Sequence, residues 1–531
     1  MSSPPSMRTR RLGTAALTLL LCSCQLLSIP TSLGRDAPSA TAVAPVPADD
    51  LAETPPPVPT PWPLEPTLPI QGEDAEAALL PAFARDADLY PDATRYTIDA
   101  SVTFEPESYD AEIEGRARIQ YTVPTGATID DVPLMLWPND RQYASRMRVG
   151  AATINGRVIE GEPGLDGVVQ IYRLEESASS GEVLDISVPF QVDASGPIGG
   201  PQPRRFGITE GVLIAPTFYP LIPRRVGGDW QVEPAPYGGD TTNSDTAFYR
   251  VTLTVPADLS LAASGVEVAR TEDGDTQTLA YVSGPMRDFA FAIGPFELKE
   301  RTVDGVVVRA WTLPEHEVEA QEMLDAAAEQ LLLMNKWVGS YPYAELDVVD
   351  APGAFGGIEY PGLVYIGTLG TPWLIEPTVH EVAHQWFYGL IGDDQLFEPW
   401  LDEAVATYTE ILYYEDAGPP GAATGLLSHF RQGLRSAPDP TLPIGKAVGA
   451  YADPGEYGVI VYYKGALFLD ALRGEIGEAA FRQFLQEYYA DFRYGFATGE
   501  DFQAAAEQAC ACDLDPLFDL WVWEGGEIPG L

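Results

Sequence analysis

Two histidines and a glutamate occur together in the segment His380-Glu381-Val382-Ala383-His384. Residues four apart lie within about 40° of each other around an α-helix, so both imidazoles project from one face and can share one metal ion. The chain has four histidines in 531 residues, which makes this pairing stand out. Pro377 suits the first turn of a helix just before the pair. The pattern predicts a helical metal site, and the alternative is a helix with two incidental histidines.

The sequence also offers a third ligand, which a catalytic zinc site needs in addition to an open fourth position. Gly389 and Gly392 predict the end of the first helix, and a second helical stretch starts near Pro399. The turn between the two helices can bring Glu403, which lies nineteen residues after His384, back beside the histidine pair. We therefore expect one zinc ion per chain, bound by two imidazoles and one carboxylate.

The chemistry expected of this set is metal-assisted hydrolysis. Because only Glu403 contributes a negative charge, zinc keeps a positive charge that lowers the pKa of a bound water to about 7. Glu381 lies beside the metal without binding it, so we expect it to act as the general base that takes the water proton. Glu410, two turns after Glu403, is either a carboxylate that supports a ligand histidine or a solvated surface residue.

Two further motifs lie on either side of the histidine pair. The segment Gly356-Gly357-Ile358-Glu359-Tyr360 precedes it, and the segment Tyr462-Tyr463-Lys464-Gly465-Ala466 follows it. With His380 through Phe387 and Trp400-Leu401-Asp402-Glu403-Ala404, they resemble the gluzincin-type zinc aminopeptidases. That family includes aminopeptidase N, membrane alanyl aminopeptidase and leukotriene hydrolase. Its pattern has Asn and Gly where this chain has Asp402 and Ala404.

The resemblance implies roles for the flanking motifs. Gly356 and Gly357 would pair with the substrate backbone, and Glu359 would bind the free α-ammonium group. Tyr462 would donate a hydrogen bond to the oxyanion that forms during hydrolysis. Three alternatives stay open: Glu359 is solvated and inert, Tyr463 is the functional ring, or both tyrosines belong to the core.

The elements that position these residues fall into two parts, so the predicted fold class is multidomain α+β. From Tyr96 to about Phe296 the chain reads as strands with period-two alternation, which indicates an all-β sandwich or saddle. Residues 317–337 then have helical spacing, a strand pair follows near residues 346–349 and 363–366, and helices occupy the rest. We predict a β domain at residues 73–305 and a thermolysin-like, mostly helical peptidase domain with a small sheet at residues 306–531. The resemblance implies a short form without the C-terminal helical domain of many relatives.

The N-terminus reads as an export signal. A basic segment that begins at Arg8 precedes a short apolar run from Leu12 to Leu21, too short to span a bilayer. The segment that ends at Cys24 resembles a bacterial lipobox, which predicts a lipoprotein-type signal at residues 1–24 with lipidation of Cys24; ordinary cleavage is the alternative. Residues 25–72 are rich in Pro, Ala and Thr and predict an extended stalk. We therefore expect an extracytoplasmic protein that is lipid-anchored to the bacterial cell membrane.

The formal net charge of −47 limits the classes of molecule that the protein can bind. It repels nucleic-acid phosphates and anionic lipid headgroups, so we expect no nucleic acid and no membrane contact beyond the lipid anchor. The leading hypothesis is a zinc aminopeptidase acting on peptides with a free N-terminal amine. The alternatives are a zinc endopeptidase of the same clan and a catalytically silent surface binding protein.

The remaining candidate residues have ordinary interpretations. We expect His316 and His429 to be ordinary helical residues. Cys510 and Cys512 are expected to be small packed residues, with a strained bridge as the alternative.

Overall fold

The computed structural model describes residues 72–141, 143, 145–195, 205–236, 243–353, 355–367 and 374–531. The predicted signal, Cys24 and the stalk up to residue 71 lie outside these ranges. None of the helices within the described ranges is long and apolar enough to cross a membrane.

The region up to residue 294 consists of β-strands, preceded by the short helix α1 (Gly72–Ala77). Many of its strands alternate buried and exposed side chains, as expected where one face packs on a core. The strands are β1 (Thr94–Glu105), β2 (Asp110–Thr122), β3 (Thr128–Met135), β4 (Arg146–Val149), β5 (Ala152–Ile154), β6 (Arg157–Ile159), β7 (Glu162–Gly164), β8 (Val169–Ser179), β9 (Val183–Asp193), β10 (Gly207–Thr209), β11 (Val212–Pro216), β12 (Arg225–Val226), β13 (Asp229–Trp230), β14 (Ala247–Pro256), β15 (Ser260–Ala263), β16 (Val266–Asp273), β17 (Thr276–Val282) and β18 (Ala290–Gly294).

These strands form several sheets. The largest has nine strands among the described residues, in the order β16-β17-β14-β1-β2-β9-β5-β6, with β4 also paired to β9. Its strands are antiparallel except for β1 and β14, which are parallel. Smaller sheets have the orders β10-β11-β18-β15, β3-β8-β7 and β12-β13.

A five-stranded sheet links the β region to the helices. Its strands are β19 (Glu297–Val303), β20 (Val306–Thr312), β21 (Glu345–Asp350), β22 (Gly357–Tyr360) and β23 (Leu363–Ile366), in the order β19-β20-β21-β23-β22. The predicted boundary between residues 305 and 306 falls in the turn of the β19–β20 hairpin. Because hairpin strands share one ladder of hydrogen bonds, the sheet begins at Glu297.

The remaining elements are mostly helical. The helices are α2 (Glu317–Trp337), α3 (Ile375–Ala383), α4 (Trp400–Asp416), α5 (Ala422–Ser436), α6 (Pro454–Tyr457), α7 (Gly465–Ile476), α8 (Glu478–Phe492), α9 (Gly499–Cys510) and α10 (Asp515–Phe518). Short 3-10 helices lie at Ala84–Leu89, Trp137–Asn139, Leu165–Gly167, Pro314–His316 and Val448–Ala450, and π-helical segments at Gly458–Lys464 and Asp519–Trp523. A β region followed by a small sheet and helices confirms the predicted α+β class.

Helix α3 ends at Ala383, so the predicted end at Gly389 and Gly392 is wrong. The amide N–H groups of residues 389–391 donate to carbonyls five residues earlier, which makes wider turns than an α-helix. The chain turns just before these residues, at Tyr388, which has a φ of 97°. A non-glycine residue therefore marks the turn after the histidine pair.

Cys510 and Cys512 form a disulfide in the structure, so the expectation of two packed thiols is wrong. Helix α9 ends at Cys510, and Ala511 takes a left-handed conformation with a φ of 52°. This turn brings the two Cα atoms to 5.2 Å, within the range that a disulfide spans.

Candidate active site

The predicted ligands His380, His384 and Glu403 meet between α3 and α4. The His380 Nε2 atom lies 3.1 Å from Glu403 Oε2 and 3.1 Å from His384 Nε2. The His384 Nε2 atom lies 3.3 Å from the same Glu403 oxygen. Ligand atoms on a tetrahedral zinc ion, at about 2.0–2.1 Å from the metal, lie roughly 3.3 Å from one another. The spacing of the three atoms therefore fits zinc.

The outer ring nitrogens define how the imidazoles face the site. His384 Nδ1 lies 3.1 Å from the carbonyl oxygen of Phe387, which only accepts hydrogen bonds, so Nδ1 carries the proton and Nε2 keeps its lone pair. His380 Nδ1 lies 3.0 Å from Glu410 Oε1. Glu410 is buried, which excludes the solvated surface alternative. Two imidazole nitrogens and a carboxylate oxygen at this spacing can hold a metal ion between them.

When protons rather than a metal ion occupy the site, the contacts among His380, His384 and Glu403 shift the pKa values of these side chains. Burial alone would raise the pKa of Glu403, but its hydrogen bonds to His380 and His384 hold that pKa below its usual range. Burial acts to lower the pKa of His384, yet the hydrogen bond and charge of Glu403 raise it to about 10. Because a metal must displace these protons, its affinity should fall as the pH falls.

The predicted base Glu381 lies against the glycine-rich strand β22. A Cβ atom added at Gly357 would lie 2.5 Å from the Glu381 Cδ atom, closer than van der Waals contact allows. Acidic oxygens of Glu381 and Glu359 and a ring nitrogen of His384 all lie within 4.8 Å of one another. The glycine therefore leaves room for a buried carboxylate next to a metal ligand.

Glu359 is buried on β22, so the solvated alternative is wrong. Its Oε1 atom accepts a hydrogen bond of 2.9 Å from Gln395 Nε2, which also donates to Asp402 Oδ2 at 3.0 Å. Burial raises the pKa of Glu359, and the nearby carboxylates Glu381 and Glu403 raise it further, while His384 opposes them. A ligand with a positive charge would relieve this repulsion.

Strand β22 lies at the edge of the five-stranded sheet, and among the described residues it pairs only with β23. Its other side can therefore accept an extended peptide as an additional strand. Gly357 is the first residue of this strand, and Gly356 precedes it, with its carbonyl accepting a hydrogen bond from Gly367.

The two adjacent tyrosines of the downstream motif have different surroundings. The Tyr462 hydroxyl donates to Glu403 Oε1 at 2.5 Å, and its ring stacks on His380 with centroids 5.8 Å apart. The Tyr463 ring instead stacks on Phe430 with centroids 4.8 Å apart. Lys464 donates to the carbonyls of Pro440 and Leu442 and so supports a loop. Of the two rings, Tyr462 is the one at the metal ligands.

Two glutamines support the site, and the sequence analysis predicts a role for neither. Gln395 holds Glu359 and Asp402 together, as described above. Gln385 accepts from the Gly362 N–H at 2.7 Å and donates to the Tyr360 carbonyl at 3.0 Å, which ties α3 to the β22–β23 turn. Its position directly after His384 is the one hint that the sequence offers.

The two other histidines lie away from these ligands. His316 precedes α2, with its Nδ1 atom 2.6 Å from Asp350 Oδ2. His429 lies on α5 and packs against Tyr463 and Phe430. Neither contributes to the metal-ligand clusters found among the described residues.

The ligand set and the carboxylate beside it have the arrangement of a gluzincin-type zinc site. Residues 371–521 match the family model described as Peptidase family M1 domain. This segment is therefore similar to the M1 peptidase domain, and the resemblance to the gluzincin-type zinc aminopeptidases is confirmed. Zinc is the cofactor of this family.

Curated relatives with aminopeptidase names match about half of the chain. Aminopeptidase M1 of Arabidopsis thaliana is 26% identical over 301 residues, which cover 53% of this chain and 34% of the relative. Aminopeptidase N of Lactobacillus helveticus is 27% identical over 258 residues, which cover 45% of this chain and 31% of the relative. The chain thus matches about a third of the length of these relatives.

Solved structures show the same two-part fold. An M1 zinc metallopeptidase from Deinococcus radiodurans superposes with a TM-score of 0.64 and 21% identity, covering 82% of this chain and 95% of that protein. A variant of the Deinococcus radiodurans M1 zinc metallopeptidase bound to a Tyr-Ser-Ala substrate gives a TM-score of 0.62 over the same shares, also at 21% identity. The similarity covers the β region as well as the helical region.

Proposed function

We propose that the chain is a zinc-dependent aminopeptidase that removes N-terminal residues from peptides. The observation that carries this proposal is the distance of at most 4.8 Å between acidic oxygens of Glu359 and Glu381. The nitrogen of a free α-ammonium group lies only about 2.5 Å from the carbonyl carbon of the same residue. A substrate whose amine is bound at Glu359 therefore presents its first peptide bond to Glu381.

The side chains of the site have complementary tasks in this reaction. Zinc held by His380, His384 and Glu403 would acidify a water molecule and polarise the scissile carbonyl. Glu381 takes a proton from the attacking water and passes it to the leaving amine. Tyr462 would turn its O–H, which donates to Glu403 Oε1 in the structure, to the substrate oxygen as negative charge develops there.

The free strand edge and the buried acids support a peptide with a charged N-terminus. The outer edge of β22 can hydrogen-bond the substrate backbone, and the buried carboxylate of Glu359 can pair with the ammonium group. The structural neighbour bound to Tyr-Ser-Ala is consistent with a short peptide in this fold.

The test compares hydrolysis of an aminoacyl anilide with that of its N-acetylated form. We expect acetylation to abolish hydrolysis by the wild type, because it removes the charge that Glu359 binds. The Glu359→Gln variant should lower kcat/KM for the free amine and leave the acetylated compound a poor substrate. Equal rates for the two compounds would favour the endopeptidase alternative and exclude an aminopeptidase.

We further propose that the enzyme acts outside the cytoplasm on a lipid anchor at Cys24. The support is the basic segment, the short apolar run and the lipobox-like sequence at the N-terminus, followed by a proline-rich spacer. Labelling with a fatty-acid analogue should mark the wild type and the Cys22→Ser variant. The Cys24→Ser variant should stay unlabelled; equal labelling of both variants would contradict the assignment.

A further inference from the structure

A cavity of about 310 Å³ lies between the five-stranded sheet and the β region. Strands β19, β20 and β21 line one wall, and strands β15, β16 and β17 line the other. Strand β22, which carries Glu359, is separated from β21 by β23, so it lies two strand spacings, or roughly 10 Å, farther along the sheet. The cavity is therefore separate from the candidate active site.

The strand register gathers charged side chains on the wall formed by the five-stranded sheet. Arg309 pairs in register with Asp347 on β21 and with Glu300 on β19, so the three side chains share one face. The Arg309 guanidinium bonds to Glu345, and its Nε atom lies 3.2 Å from Glu300 Oε2. Asp347 takes part in neither of these two ion pairs of Arg309.

The opposite wall adds a second guanidinium that is already paired. Arg270 donates to both carboxylate oxygens of Glu267, at 2.9 and 2.7 Å. The lining as a whole has four carboxylates against two guanidinium groups. When all four carboxylates are ionised, the cavity has a surplus of two negative charges, which disfavours an anionic ligand.

Asp347 is a buried carboxylate on the wall formed by the five-stranded sheet, and one of its oxygens lacks a hydrogen-bond partner among the described residues. It is 3% exposed, and its Oδ1 atom and the Trp311 Nε1 atom lack partners among the described residues. Burial raises the pKa of Asp347 to about 7, opposed by Arg309. The Trp311 N–H also lowers that pKa by its proximity, although their contact falls short of hydrogen-bond geometry.

The shape of the cavity allows a ligand to reach this carboxylate. Leu298 on β19 is 44% exposed and lies at the rim, whereas Tyr281 on the opposite wall is buried. Trp311 and Tyr281 present aromatic rings, which attract organic cations as well as apolar stems. The lining carboxylates do not form one of the metal-ligand clusters found in the described ranges.

We propose that this cavity binds a small organic cation, an amine or guanidine on a short apolar stem. Its charged group pairs with Asp347, and its stem lies against Trp311 and Tyr281. Because the two walls belong to different parts of the fold, the bound cation also stabilises the junction between them. This site is independent of the peptidase activity proposed above.

The test uses agmatine as the probe and the zinc-loaded full chain as the protein. Calorimetry should show saturable binding at one site besides any binding at the active site, and the unfolding temperature should rise with agmatine concentration. The Asp347→Asn variant should weaken this binding at least about tenfold, because it removes the charge. The Glu359→Gln variant should retain it, and uncharged 1,4-butanediol should fail to bind.

A second variant keeps the proposal testable if Asp347→Asn folds poorly. Leu298→Trp narrows the entrance from an exposed position on the edge strand β19 and should also weaken agmatine binding. Absence of saturable binding to the wild type would overturn the proposal and indicate a water-filled cavity. Binding that survives both cavity variants, or that is lost only in Glu359→Gln, would overturn it in favour of the active site.

Discussion

The carboxylate of Glu381 has its position because Gly357 has no side chain. The added Cβ of Gly357→Ala would collide with the Glu381 carboxylate and push it away from the metal ligands. Since a displacement of about 1 Å can cost 10²-fold in rate, we expect kcat to fall by roughly that factor. Zinc content should stay near one per chain, because the three atoms nearest to the added Cβ all belong to Glu381, which is not a metal ligand.

A matched variant controls for the added methyl group. Gly474 lies in α7 with open space around its missing side chain, so Gly474→Ala should leave kcat unchanged. The measurements are steady-state hydrolysis of an aminoacyl anilide and zinc content by atomic absorption. If both alanine variants behave like the wild type, the proposed contact does not position Glu381.

The Glu381→Gln variant separates proton transfer from metal binding. The amide cannot take a proton, so hydrolysis should fall by roughly 10²–10⁴-fold while zinc stays bound. The same exchange at Glu410 removes the negative charge of the group that accepts from His380 Nδ1 and should weaken zinc binding by about 10–100-fold. Zinc titration with a chelator and hydrolysis rates distinguish the two variants. Unchanged turnover in Glu381→Gln would refute the general-base assignment.

The adjacent tyrosines allow a test that changes the same single atom at neighbouring positions. Tyr462→Phe removes the hydroxyl next to Glu403, and we expect kcat to fall by about 10²–10³-fold with little change in KM. Tyr463→Phe retains the ring that packs on Phe430 and should keep kcat within a few-fold of the wild type. The reverse order of the two effects would assign the oxyanion contact to Tyr463.

At the level of elements, His316 links the start of α2 to the end of β21. The Asp350 carboxylate is buried, and the hydrogen bond to His316 connects the two elements. Burial acts to lower the pKa of His316, but the hydrogen bond and charge of Asp350 raise it above its usual value. The unfolded imidazole has a pKa of about 6.5. The stabilisation from this pair is therefore complete below that pH and is lost as the pH rises through the folded pKa.

The His316→Gln variant should consequently lower the unfolding temperature more at about pH 6 than at about pH 9. His429→Gln provides a control of opposite sign, since burial lowers the pKa of His429 and stabilises its neutral form. That variant should lose more stability at the higher pH. Thermal unfolding of both variants and the wild type at the two pH values checks the prediction. Parallel losses for both histidines would contradict the role of Asp350.

The elements that the sequence predicted well depend on local geometry. The spacing of His380 and His384 follows from the pitch of one helix, and the bounds of α2 follow from its apolar periodicity. The site residues that were missed depend on contacts between distant segments. Gln395 lies in the irregular connection between α3 and α4, and nothing in its own neighbourhood indicates that it meets Glu359 on β22.

The same distinction applies to features of the fold that the sequence does not indicate. Strands β19 and β20 alternate like those of the β region, so their membership of the five-stranded sheet depends on parallel pairing with β21. The π-helical segment that presents Tyr462 has no propensity signal of its own, because its wider turn depends on packing. Burial of Glu410 likewise depends on the elements that cover α4.

At the scale of the whole molecule, the net charge of −47 is compatible with substrates that carry an ammonium group. Screening over about 8 Å at physiological ionic strength limits any steering of such substrates to the neighbourhood of the site. Any contribution of charge to the recognition of such a substrate would therefore come from nearby buried acids such as Glu359 more than from long-range attraction.

A buried cation, Arg287, joins the two parts of the molecule. Its Nε atom donates to the Tyr388 carbonyl at 2.8 Å and its Nη1 atom to the Ser244 carbonyl at 3.2 Å, while Nη2 donates to the Gly495 carbonyl. The guanidinium also lies 4.1 Å from the centroid of the Phe496 ring. Burial lowers the pKa of Arg287 to about 10, so the group stays charged at neutral pH.

Replacing Arg287 by methionine should therefore weaken the whole molecule and the zinc site together. The variant leaves buried carbonyls without donors, and we expect it to destabilise the fold by about 3 kcal/mol. Because Tyr388 lies in the turn after His384, zinc affinity should fall as well. Urea unfolding and chelator competition measure the two effects.

Arg157→Met is the control, since Arg157 forms an exposed ion pair with Glu175 that contributes less than about 1 kcal/mol. Equal losses in the two variants would show that Arg287 does not hold the junction, because the exposed pair has no buried carbonyls to leave unpaired.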